Sequence, residues 1–158
     1  MIVFRLSKSK FAADLSGKGA EIAGGRWNSK GVPVVYTGDS RALCVAEIAV
    51  HTGLGTVPKD YVLVTIEIPD DVAVCEVLPE NLQPDWKSFP HSGATQALGD
   101  SLLLQNKCLV IKAPSAVVQG DYNFLINPKH KDFNRITVLE TVPFTFDKRM
   151  FMGIKQDG

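Results

Sequence analysis

The chain consists mainly of short apolar runs rich in β-branched residues, separated by polar stretches that contain glycine or proline. This pattern is typical of strands joined by turns. It predicts strands at residues 1–6, 32–36, 61–68, 72–77, 108–111, 122–126 and 136–146. Apolar positions at helical spacing predict two main helices. The first begins at an N-cap at Asp39 or Ser40 and ends near Thr52, with Gly53 as its stop, and the second covers residues 94–105.

The connections between these elements are long in two places. Residues 7–25 contain four glycines, and Pro79, Pro84 and Pro90 interrupt the middle of the chain. Long loops in small domains often carry function. The two helices do not alternate regularly with about six to eight strands, so the pattern predicts an α+β fold with mostly antiparallel strands rather than a doubly wound sheet.

The composition indicates one domain over residues 1–158, because 45% hydrophobic residues are enough for a single core. The 17 basic residues cancel the 17 acidic ones, and neither sign forms a long block. This argues against a broad surface for nucleic acid or anionic membrane, so an anionic ligand must be held by a few placed residues. No run approaches the roughly 18 apolar residues of a membrane span, and a signal-peptide pattern is absent from the N-terminus.

The cysteines and histidines indicate neither a disulfide framework nor a metal site. Cys44, Cys75 and Cys108 are odd in number, widely spaced and embedded in apolar runs, so we expect reduced core thiols and a cytoplasmic protein. The three histidines, His51, His91 and His130, lack ligand spacing, and no metal is expected.

The segment Gly24-Gly25-Arg26-Trp27-Asn28 is the first candidate for chemistry. Two glycines allow close approach of the backbone to a ligand, and Arg26 then presents a planar cation suited to phosphate or pyrophosphate. The alternative is that Trp27 is a core anchor with Arg26 stacked on it, and Asn28 merely makes the next turn. The segment is neither a P-loop nor a dinucleotide fingerprint.

Two further candidates follow along the chain. Tyr36 ends a predicted strand, where its ring can line a cleft while its hydroxyl stays in water, although rim packing is the commoner role. Glu47 lies in an otherwise apolar helix, and a carboxylate beside a buried face needs a reason. His51, at i+4, is its only helical neighbour able to share a proton.

A polar cluster follows the strand at residues 108–111, with Ser115 after one proline and Asn127 before another. Turn making is the simplest role for each. A Ser-His-Asp triad stays open, although the chain contains no G-x-S-x-G elbow.

Taken together, these segments resemble the RES domain, the toxin half of bacterial RES-Xre toxin-antitoxin pairs, over nearly the whole chain. The matching stretches are Phe4-Arg5, residues 24–28 with Gly31, Val35-Tyr36, Ala46-Glu47 with His51, residues 114–118, residues 123–128 with His130, and Phe146-Asp147 with Arg149. Two short segments depart from the family pattern. Residues 99–102 lack the usual aromatic after Gly-Asp, and residues 119–121 lack the usual proline and glutamate.

The resemblance implies a fold similar to ADP-ribosyltransferases, with NAD as a consumed substrate rather than a bound cofactor. Carried over by motif, the family's catalytic residues fall on Arg26, Tyr36, Glu47 and Ser115, and Ser115 rests mostly on the resemblance. We expect Asn28 and Asn123, which lie in matching stretches, to contact NAD together with Arg26 and Tyr36.

The resemblance also implies growth arrest through cleavage of the nicotinamide-ribose bond, by hydrolysis or phosphorolysis. Transfer of ADP-ribose to a cellular protein is the alternative, and a non-catalytic module with an internal Arg26–Glu47 ion pair is a second one. The implied partner is an Xre-like helix-turn-helix antitoxin, through which alone the chain would reach DNA. A homodimer within that complex is compatible with it.

Overall fold

A seven-stranded sheet organises the chain in the computed structural model, which describes residues 1–153. Residues 154–158 of the predicted domain lie outside this range. The strands are β1 (Ile2–Lys8), β2 (Val35–Gly38), β3 (Tyr61–Glu67), β4 (Val74–Glu76), β5 (Val110–Pro114), β6 (Tyr122–Ile126) and β7 (Thr137–Phe144). The helices are α1 (Lys18–Ala23), α2 (Arg41–His51) and α3 (Gly93–Gln105). Four 3-10 turns, at Ser9–Phe11, Pro79–Asn81, Phe133–Arg135 and Lys148–Met150, complete the described elements.

The strand order is β4-β5-β6-β2-β1-β3-β7, and every pair is antiparallel except β4 with β5. This confirms the α+β expectation with mostly antiparallel strands. The central strands β1 and β2 share one register pair, Phe4 with Gly38, whereas β1 pairs with β3 along its whole length. The sheet is therefore weakly joined at its middle, and a cleft can form where β1 and β2 separate.

Two apolar clusters form the core. One packs Val3, Val64 and Ile66 against Leu109 and Ile126. The other surrounds Trp27 and Trp86, whose ring centroids lie 6.2 Å apart. Trp27 is 2% exposed, so it is the core anchor that the simpler interpretation proposed.

Helix α2 begins as the sequence predicted. The Ser40 hydroxyl accepts a hydrogen bond from the Leu43 amide at 3.0 Å, which satisfies one of the free N–H groups of the first turn. The helix ends at His51, one residue before its predicted end at Thr52, because Thr52 leaves helical geometry. The six-residue helix α1 was not predicted, since it is too short to show an apolar period.

The expectation of three reduced thiols is wrong for two of them. Cys75 and Cys108 form a disulfide with a Cα–Cα distance of 5.8 Å, whereas Cys44 is free and buried. The parallel pairing of β4 with β5 places Cys75 beside the start of β5, and this pairing joins segments 33 residues apart. Sequence spacing does not reveal such a contact.

No helix within residues 1–153 is long and apolar enough to cross a membrane.

Candidate active site

A cavity of about 920 Å³ lies where β1 and β2 separate. Its walls come from β1, the start of α1, the turn at residues 24–27, β2, α2 and the loop at residues 87–91. The volume is that of a site for a ligand larger than a metabolite fragment. Among the predicted site residues, Arg26, Tyr36, Glu47 and Asn123 line it, whereas Asn28 and Ser115 lie behind its wall.

Glu47 is half-buried on α2 and is fixed by two donors that come from the sheet. Its Oε1 accepts hydrogen bonds from the Ser115 hydroxyl at 3.1 Å and from Asn123 Nδ2 at 2.9 Å. No residue in the described range 1–153 donates a hydrogen bond to Oε2. Both donors come from outside α2, 68 and 76 residues away in sequence, and neither is the helical neighbour His51. One carboxylate oxygen is thus held, and the other is left for a ligand.

Ser115 is a positioning group, 2% exposed, directly after β5. Its Oγ accepts from the amides of Val117 at 3.1 Å and Val118 at 3.0 Å. Because a hydroxyl carries one hydrogen and both N–H groups occupy its lone pairs, that hydrogen is directed to Glu47. The turn-making role and the site role are therefore performed by the same atom.

The Tyr36 hydroxyl is buried, which contradicts the expectation that it stays in water. It accepts from the Trp27 amide at 3.1 Å and donates to Asn28 Oδ1 at 2.7 Å. Burial raises the pKa of Tyr36 far above that of a free phenol, so the group is neutral. The ring still lines the cavity. A Cβ on Gly25 would lie 2.6 Å from this hydroxyl, so close packing requires glycine there.

Asn28 does not contact the cavity, so the prediction that it binds NAD is wrong. It is 0% exposed, and its Nδ2 donates to the carbonyls of Ala20 at 2.8 Å and Val32 at 2.9 Å. Because the hydrogen-bonding groups of this amide are already used within the protein, it stabilises the loop and does not bind a ligand. Asn28 thus fixes the turn and, through Oδ1, the ring of Tyr36.

Arg26 lines the cavity, and the loop that contains Trp86 and Ser88 holds its guanidinium. Its Nη1 donates to the carbonyls of Trp86 at 2.6 Å and Ser88 at 3.0 Å. Partial burial lowers the pKa of Arg26, and the nearby Glu47 carboxylate opposes that shift. Within residues 1–153 these two residues form no salt bridge, so the internal ion pair of the non-catalytic alternative is not present.

A second arginine, Arg5, lines the cavity and was missed as a site residue by the sequence analysis. Its Nη1 donates to the Asp14 carbonyl at 2.6 Å, and burial lowers its pKa while Asp14 opposes the shift. Strand alternation was the available signal, because Arg5 shares a face of β1 with the buried residues Val3 and Ser7. Lys18 and Lys87 also line the cavity. The site therefore offers several cations to an anionic ligand around one fixed carboxylate.

Within the described residues, no three His, Cys, Asp or Glu side chains are grouped as metal ligands.

The comparisons with known proteins agree on a class. A chain in the crystal structure of the M. tuberculosis MbcT-MbcA toxin-antitoxin complex superimposes with a TM-score of 0.74, covering 95% of this chain and 86% of that chain at 23% identity. The two chains thus share a fold. The RES domain model matches residues 2–147, and the chain belongs to the RES domain family.

Three relatives show how far the similarity extends. A protein of Sphingobium sp. (strain YBL2), named Prs ADP-ribosylating toxin, is 40% identical over 88% of each chain. Proteins named Toxin Res from Photorhabdus laumondii subsp. laumondii and Pseudomonas putida are 34% and 36% identical. These matches cover 98% and 96% of this chain and 100% of each relative. The resemblance stated from the sequence is confirmed.

Proposed function

We propose that this chain is the toxin of a toxin-antitoxin pair and cleaves the nicotinamide-ribose bond of NAD. The observation that supports it most is the state of Glu47, whose Oε1 is held by Ser115 and Asn123 while Oε2 remains available in a cation-lined cavity. NAD brings a pyrophosphate and, beside the nicotinamide, the ribose of the scissile bond, and these groups require cations and an oriented carboxylate in one cleft.

The chemistry needs one carboxylate. Nicotinamide is cationic in NAD and leaves as a neutral ring, so the leaving group needs no proton. Positive charge develops on the ribose as the bond breaks. In the proposed mechanism Oε2 of Glu47 accepts a hydrogen bond from a ribose hydroxyl and stabilises this charge, while the two donors to Oε1 prevent the carboxylate from turning away.

The pyrophosphate is assigned to the arginines. Arg26 keeps Nε and Nη2 without a partner among residues 1–153, so these atoms remain available for charge-assisted hydrogen bonds. Arg5 supplies a second guanidinium from β1. The Tyr36 ring, fixed through its hydroxyl, is proposed to pack against nicotinamide or the ribose and limit its conformations.

The acceptor of the ADP-ribosyl group defines two candidate functions. Water or inorganic phosphate would make the chain an NAD glycohydrolase or phosphorylase, which is our first proposal. Transfer to a protein is the second, and the name of the relative at 40% identity, Prs ADP-ribosylating toxin, favours it. Both share the step assigned to Glu47.

Growth arrest through loss of NAD, a cytoplasmic location and inhibition by an Xre-like helix-turn-helix antitoxin belong to this proposal. The balance of 17 basic and 17 acidic residues supports DNA contact through the antitoxin alone. A homodimer within the complex remains compatible with the proposal.

The test is release of nicotinamide from NAD by the purified antitoxin-free protein, with and without phosphate. Glu47→Gln is the test variant, and Glu140→Gln, on the exposed strand β7, is the matched control. Release of nicotinamide by wild type and by Glu140→Gln, but not by Glu47→Gln, supports cleavage. If release requires phosphate, the reaction is phosphorolysis. Labelling of Prs, the protein in the name of the relative at 40% identity, by radiolabelled NAD identifies transfer of ADP-ribose to a protein. Wild-type activity in Glu47→Gln would contradict the mechanism.

A further inference from the structure

One face of helix α3 contacts the backbone of the turn that carries Arg26. Gln96 Nε2 donates to the carbonyls of Gly25 at 3.0 Å and Asn28 at 3.3 Å. One helical turn later, Asp100 Oδ1 accepts from the Ser29 amide at 2.8 Å. Residues at i and i+4 lie on the same face of a helix, so both ends of the turn at residues 25–29 are bound to one surface.

The contact between helix and turn is close. A Cβ placed on Gly99 would lie 1.9 Å from the Trp27 carbonyl oxygen, which no backbone adjustment of ordinary size relieves. Gly99 therefore lets α3 approach the turn closely enough for Gln96 and Asp100 to reach it.

The orientation of the Gln96 amide is fixed by its surroundings. Turning the group would point its oxygen at two carbonyl oxygens, which repel it. The same Nε2 lies 3.1 Å from Nε2 of His91, a residue of the cavity wall.

The position of this turn determines the position of two cavity side chains. Arg26 belongs to it, and the adjoining Trp27 amide and Asn28 Oδ1 hold the Tyr36 hydroxyl. We propose that Gln96 and Asp100 are positioning residues, through which α3 sets where Arg26 and Tyr36 meet a ligand. That this ligand is NAD rests on the proposed function.

The test replaces donors without changing volume. Gln96→Glu keeps the shape of the side chain but removes both hydrogen-bond donors. Gln105→Glu makes the same chemical change in the last turn of α3, where the side chain is exposed and, among residues 1–153, donates a hydrogen bond to Ser101 alone. Hydrogen-deuterium exchange of the amides in residues 24–30 reports on the turn, and steady-state KM and kcat for NAD report on the site.

In Gln96→Glu we expect amide exchange in the turn to rise about tenfold, as for a loss of roughly 1.4 kcal/mol in local stability. KM for NAD should also rise about tenfold and kcat should fall less, because a pyrophosphate contact lies away from the reacting bond and binds ground and transition states alike. Gln105→Glu should match wild type in all three quantities.

Asp100 supplies an independent pair of variants in case Gln96→Glu does not fold. Asp100→Asn retains an oxygen that accepts from the Ser29 amide and should retain wild-type KM, whereas Asp100→Ala should raise it. Loss of folding alone would not produce this difference between two variants of matched thermal stability.

Unchanged exchange in the turn of Gln96→Glu and Asp100→Ala would overturn the anchor. A loosened turn with wild-type KM and kcat would overturn its role in the site. If wild type releases no nicotinamide, the proposed function fails separately, and the exchange measurement alone then decides whether α3 anchors the turn.

Discussion

The Ser115 hydroxyl donates to Oε1 of Glu47 across 3.1 Å, although the two residues are 68 positions apart in the chain. Ser115 directly follows β5 and Glu47 lies on α2, and their contact orients the carboxylate in a cavity whose walls also carry several cationic side chains.

Removing a donor to Glu47 should lower turnover more than binding. Ser115→Ala and Asn123→Ala should each reduce kcat for NAD consumption by about tenfold to a hundredfold, because the carboxylate is then less well oriented in the transition state. Ser115→Thr keeps the hydroxyl and should retain most activity. Equal losses in Ser115→Thr and Ser115→Ala would argue for a packing role only.

The two cavity arginines should act in binding. Arg5→Lys and Arg26→Lys keep the charge but lose the planar fork, and KM for NAD should rise about tenfold in each. Arg135→Lys, whose partner Asp71 lies away from the cavity, is the control and should resemble wild type. An unchanged KM in Arg5→Lys would remove Arg5 from the site.

Stability should fall at high pH because of Tyr36. Its pKa is raised in the folded protein above the ordinary value of 10.0, so the unfolded chain loses this proton first. The contribution is present below pH about 10 and is lost as pH rises through the folded pKa. Chemical denaturation at several pH values should show a decline that is shallower in Tyr36→Phe. Parallel curves for both proteins would contradict the assignment.

Gly25→Ala should destabilise the protein by about 1–3 kcal/mol, because its Cβ must displace a Tyr36 hydroxyl that two hydrogen bonds hold. Gly19→Ala is the matched control. Its Cβ meets nothing within 4 Å, and it should stabilise α1 by about 0.5–1 kcal/mol. Urea denaturation measures the free energy of unfolding of both variants. An unchanged value for Gly25→Ala would show that the Tyr36 hydroxyl moves freely.

The disulfide should contribute measurably to stability. Cys75→Ser opens a loop spanning 33 residues and should lower the free energy of unfolding by about 3–4 kcal/mol in the chain-entropy account. Reducing agent should have the same effect on wild type and none on the variant. Thiol titration of the unfolded, unreduced protein should find one free cysteine, Cys44.

The sequence by itself determined the main strands, the two main helices and the family. β-branched runs and helical periods are local properties, so β6 was predicted at Tyr122–Ile126 and α2 from an N-cap at Asp39 or Ser40. Glu47 stood out because a carboxylate among apolar helical positions is locally unusual. The spaced motifs then identified the RES domain, and Arg26, Tyr36, Glu47 and Asn123 do line one cavity.

Only the tertiary structure decided what each of these groups does. Asn28 and the Tyr36 hydroxyl are buried because the turn folds back on β2, and Glu47 is held by Ser115 and Asn123 rather than by its helical neighbour His51. Arg5 joined the site, and Cys75 met Cys108, through pairings between distant strands. Side-chain spacing along one element follows from its period, whereas contacts between elements depend on sheet order, which the linear pattern does not contain.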